Sequence, residues 1–113
     1  MRGEDPDHPI IERPHEYSVT RFVYDVLGNR VGEPFIDLSL SKGELFRRLR
    51  FLSPQNLRIE EGFPAPTHGM AIRDIRGRQW QGLGVEVADF EASWGAITFV
   101  ARAVVDLDDD SES

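Results

Sequence analysis

From Tyr17 to Leu40 bulky apolar residues recur near every second position, and beyond Ser41 they recur near every 3.6. The run from Tyr17 to Leu27 is rich in aromatic and β-branched residues, which fit a pleated surface and predict a strand. Phe22, Tyr24 and Val26 share one face, while Val19, Val23 and Leu27 fall mostly on the other. Apolar content on both faces places this strand well inside a sheet. Gly28 to Gly32 tolerates the positive φ of a turn, and Pro34 to Leu40 returns with Ile36, Leu38 and Leu40 in one buried row.

The tetrad Ser41-Lys42-Gly43-Glu44 then reads as a capping box, in which each side chain satisfies a backbone N–H at the start of a helix. A helix over 42–52 follows, stopped by Ser53-Pro54 because the residue before proline avoids the α region. Helical spacing gathers Leu45, Phe46, Leu49 and Leu52 on the core side. It turns Arg47, Arg48 and Arg50 outward, with Phe51 at the border.

Shorter strands are expected at 57–59, 70–75 and 83–87, and a last one at 97–107. Pro64, Pro66 and their glycine neighbours make 62–69 a loop. The fold class predicted is α+β: a mixed or antiparallel sheet of five to six strands with one helix packed on a face, in the order β-β-α-β-β-β. Residues 1–16 read as an extended or disordered acidic lead-in, 17–107 as the single folded domain and 108–113 as an acidic tail. Ile10 and Ile11, the only bulky apolar pair of the lead-in, are expected to lie against the domain's own edge.

A chain of 113 residues buries about 65% of the surface its unfolded form exposes, so no staple is required. None is available, since there is no cysteine, which also removes thiolate metal sites and a cysteine nucleophile. The net charge of −7 is a property of the ends. Residues 17–105 carry 11 basic and 10 acidic residues, whereas 106–113 carry five acids and no base. A body so close to neutral steers weakly toward a polyanion. No apolar h-region opens the chain and no run approaches the roughly 18 apolar residues of a membrane span, so a cytoplasmic, bacterial setting with no membrane partner is expected.

Candidate chemistry is sparse. Of the three histidines, His8 and His15 lie in the lead-in, which leaves His68, in the 62–69 loop, as the candidate for a small hydrolase or lyase. Gly82-x-Gly84 lacks the third glycine and the helix of a dinucleotide fingerprint. Asp106-x-Asp108-x-Asp110-x-Glu112 has the opening spacing of a calcium loop, but Ser111 stands where the turn needs glycine and no bidentate glutamate follows. Glu86, Asp89 and Glu91 have no fixed separation, and Trp94 reads as a plug over the core. No catalytic residue, metal or cofactor is therefore assigned.

Two surfaces remain. Arg47, Arg48, Arg50 and Phe51 form an aromatic and basic patch of the kind found at interface centres. Arg73, Arg76 and Arg78 beside Trp80 form a basic turn able to grip phosphates and stack a base. The expected function is a non-enzymatic accessory, adaptor or inhibitor that docks on a protein, or self-associates, through the helix face or an edge strand. Nucleic-acid binding through the second patch is the alternative.

Overall fold

The computed structural model describes residues 8–11, 13–29, 31–61, 70–75, 83–89 and 97–108. Among them the chain makes a 3-10 turn at Pro14–Glu16 and eight strands: β1 (Ser18–Asp25), β2 (Phe35–Lys42), β3 (Leu45–Leu52), β4 (Gln55–Ile59), β5 (Met70–Asp74), β6 (Val85–Asp89), β7 (Ile97–Ala101) and β8 (Ala103–Asp106). Every pairing is antiparallel. The strands form two four-stranded sheets, ordered β1-β2-β3-β8 and β4-β7-β6-β5. No α-helix occurs among the described residues, so the α+β expectation is corrected to an all-β architecture.

The correction turns on 42–52, where the predicted helix is strand β3. Lys42 pairs with Leu45, leaving Gly43 and Glu44 as the two central residues of a hairpin turn. Gly43 has φ +60° and Glu44 a negative φ, the signature of a type II′ turn, whose twist matches that of the flanking strands. The Ser41-x-x-Glu44 spacing therefore marks a turn instead of a cap. Once the hairpin closes, 45–52 alternates: Arg47, Leu49 and Phe51 lie opposite Leu40, Leu38 and Ile36, and Phe46, Arg48 and Arg50 point the other way. Leu45, Phe46, Leu49 and Leu52 fit a helical stripe, whereas the strand divides them between its two faces, and the fully buried row of β2 supplies the tertiary contacts that select the strand.

The two sheets share one bent ribbon. After Ser53-Pro54, β3 continues as β4 in the second sheet, and after Arg102, β7 continues as β8 in the first. At the corner the Arg102 N–H donates to the Leu52 carbonyl (2.8 Å), and the Ser53 N–H donates to that of Pro34 (2.8 Å). The bend at Arg102 shifts the facing of the last strand. Val104 opposes buried Phe51, while Val105, in phase with the inward Ile97 and Phe99 by residue number, opposes Arg50 and is exposed.

Between the sheets lies one apolar cluster drawn from both. Ile36, Leu38, Leu40, Leu49 and Phe51 meet Ile72, Val85, Val87, Ile97 and Phe99. Phe51 and Phe99 pack edge to face with centroids 5.0 Å apart. The lead-in joins this cluster through Ile11. Its backbone reaches the second sheet where the His8 N–H donates to the Ile72 carbonyl (2.8 Å).

Strand β1 is at the edge of its sheet, not inside it. A register irregularity between Val19 and Arg21 reverses the facing after the bulge, so Val19, Phe22 and Tyr24 all oppose the inward row Leu40, Leu38 and Ile36. The bulge thus returns Val19 to the inward face, while Val23 lies on the outward face of an edge strand, opposite Asp37.

Candidate interaction surfaces

The four residues expected on a helical docking arc are divided by β3 between two faces. Phe51 is fully buried in the core. Arg47 also sits on the inward side, at the end of the sheet, where it pairs with Asp106 (2.7 Å) and donates to the Ile10 carbonyl. Arg48 and Arg50 share the outward face. Arg50 donates both Nε and Nη2 to the Asp37 carboxylate (2.8 and 2.9 Å) and stacks 4.0 Å over the centre of the Phe35 ring. Arg48 pairs with Asp108 at 2.7 Å, and its guanidinium holds the Asp108 carboxyl below the usual carboxylate range. Each arginine of the expected patch thus has a carboxylate of its own chain.

A fourth carboxylate clasps the corner. Glu33, in the connection between β1 and β2, accepts from Arg102 Nε and Nη2 (3.0 and 2.6 Å) and from the Ser53 hydroxyl. These hydrogen bonds, Arg102 first and Ser53 second, lower its pKa and tie the β1–β2 connection to both arms of the ribbon.

The second patch is represented only by Arg73, which lies on β5 opposite Glu86 and is engaged within the chain. Arg76, Arg78, Trp80 and His68 lie outside the described residues. Among the described residues no group of three histidine, aspartate or glutamate side chains is placed to hold a metal, and no helix is long and apolar enough to cross a membrane.

The surface instead carries apolar side chains that the sequence pattern assigns to buried faces, and Leu45 and Phe46 are corrected from the core side of a helix to an exposed hairpin tip. Leu45 and Phe46 stand at the tip of the β2–β3 hairpin, with Phe46 68% exposed. At the opposite end of the same sheet, Tyr24 is 38%, Val26 63% and Leu27 75% exposed. The second group is held on a firm base. Asp25 Oδ1 accepts the Gly28 N–H (2.8 Å), and the Gly28 carbonyl accepts from Val31 and Gly32 (3.0 and 2.7 Å). Gly28 has φ +60°, and a Cβ there would meet the Glu33 carbonyl oxygen at 1.9 Å, so only glycine fits. Asp25-x-x-Gly28 was the legible signal for this loop, since aspartate closes such turns through its side chain.

The strand leading into that tip also presents backbone. Lys42–Leu45 closes a two-residue turn and is therefore a hydrogen-bonded pair, which directs alternate β2 residues Phe35, Asp37, Ser39 and Ser41 toward β1. The Leu107 N–H on the Arg48 carbonyl (2.8 Å) agrees with this phase. Arg21, Val23 and Asp25 consequently bond to β2, and the N–H and C=O of Tyr24 point away from the sheet. The other edges are guarded. The lead-in bonds to β5, β4 contains a left-handed Asn56 with a register irregularity, and β8 has four residues and ends in Asp106.

No family model, no curated protein and no solved structure matches this chain, so its functional reading rests on its own residues and their geometry.

Proposed function

We propose that this chain is a non-enzymatic protein-interaction module that docks through the outer edge of β1 and the Val26-Leu27 tip, in a cytoplasmic setting. One observation carries the reading: a rigidly based apolar tip continues directly from a sheet edge whose outward backbone groups include those of Tyr24. Edge addition supplies main-chain hydrogen bonds, and neighbouring side chains supply selectivity. The basic face of β3 is a poor competitor, because a partner's carboxylates would have to displace Asp37 and Asp108 from Arg50 and Arg48.

Site-specific photo-crosslinking in the native cell tests it. A benzophenone side chain at Leu27 is expected to capture a polypeptide, whether another protein or a second copy. The same group at Arg48 is expected to capture none. Capture from position 48 and not from 27 contradicts the reading.

A further inference from the structure

We infer that the occupant of the β1 edge is a second copy of this chain, paired antiparallel about a two-fold axis through Val23. The inference rests on the docking reading above and specifies its partner. Arg21, Val23 and Asp25 lie in one row on the outward face of β1, opposite Ser39, Asp37 and Phe35 of β2. Antiparallel pairing of this strand with itself places Arg21 of each copy opposite Asp25 of the other and brings the two Val23 side chains together on the axis.

The row suits this arrangement because neither Arg21 nor Asp25 forms an ion pair among the described residues. Arg21 is exposed and makes no ion pair among the described residues. Asp25 uses Oδ1 on the Gly28 N–H, and its charge reaches Arg50 at longer range. No other register of the strand against itself sets both charged pairs directly opposite. A register centred one residue away confronts Arg21 with Asp25 nowhere and leaves the apolar tip beyond the end of the partner strand or short of it.

The same axis covers the exposed apolar residues. Val26 and Leu27 of one copy come alongside Thr20 and Val19 of the other, at the bulge where β1 begins, and the Tyr24 side chains flank the axis. Phe22 is engaged within its own chain and stays packed against its own core. Among the described residues seven bulky apolar side chains are exposed, and this one contact covers Tyr24, Val26 and Leu27. An interface of a strand edge and a tip is small, so the dimer is weak and its population depends on concentration.

Sedimentation velocity on the full chain across a concentration series tests the pairing through its charges. Wild type is expected to interconvert between monomer and dimer. Arg21→Asp confronts two aspartates at both ends of the strand pair and weakens the dimer by about tenfold or more. Asp25→Arg does the same with two arginines, and an equimolar mixture of the two variants recovers the association, since each charge then meets its opposite. Should Asp25→Arg unfold the loop at Gly28, Leu27→Asp takes its place and is expected to dissociate the dimer while circular dichroism stays unchanged. A wild type that remains monomeric at about millimolar concentration overturns self-pairing, and so does an Arg21→Asp variant that dimerises like wild type. Either result leaves the wider docking reading to be judged by whether the crosslinker at Leu27 captures a different polypeptide.

Discussion

Strands β1 and β3 belong to one sheet and have eight residues each, yet they meet their surroundings in opposite ways. β3 lies between β2 and β8, with its three arginines matched by Asp106, Asp108 and Asp37. β1 pairs on one side, and its arginine is unmatched among the described residues. The strand with the greater positive charge thus offers the fewer unpaired cations, because its charge has already been neutralised within the chain. Net charge along a sequence counts cations without saying which of them are taken.

The contrast is broken most severely at Phe51. Truncation to alanine in a fully buried site against Phe99 is expected to cost about 3–5 kcal/mol, whereas Phe46→Ala at the hairpin tip should stay within about 0.5 kcal/mol. Urea unfolding of both variants checks this, and equal effects would return Phe51 to the surface. Gly28→Ala comes next, with an expected cost of at least about 2 kcal/mol, since the added Cβ meets a backbone oxygen at a positive φ. The corresponding change at Gly43, where a Cβ meets open space, should cost about 1 kcal/mol.

Smaller effects concern charge. Asp37→Ala removes the bidentate partner of the half-buried Arg50 and is expected to cost about 1 kcal/mol, measurable in the same unfolding assay. Glu33 has a folded pKa below its unfolded value of 4.5, so the unfolded chain binds the proton more readily. Its contribution is therefore present above pH 4.5 and is lost as pH falls through the lower folded value. Glu33→Gln should flatten the acid side of the stability profile and leave the neutral side parallel to wild type.

Much of the strand layout was legible in the sequence. Ile36, Leu38 and Leu40 alternate cleanly and are all fully buried, and the expected strands near 57–59, 70–75 and 83–87 correspond to β4, β5 and β6. The segment 42–52 was not, because Leu45, Phe46, Leu49 and Leu52 match a helical stripe that the strand divides between two faces, and Gly43 within Ser41-x-x-Glu44 imitates a cap. Only the pairing of Lys42 with Leu45 separates the two, and pairing is a tertiary fact. The position of β1 escaped for a related reason: a one-residue bulge between Val19 and Arg21 puts Val19 back on the inward face, and Val23 on the outward face imitates burial on both sides. Of the candidate surfaces, the arginines were visible but their carboxylate partners were not, since Arg48 and Asp108 lie sixty residues apart.

Amide hydrogen exchange of the dilute, monomeric chain tests most directly whether β1 is the open edge and β3 the closed one. Exchange at Tyr24 is expected to be much faster than at Val23 and Asp25 on either side of it, while the amides of Arg48, Leu49, Arg50 and Phe51 are all slow. Slow exchange at Tyr24 together with fast exchange along 48–51 would contradict the assignment of both strands.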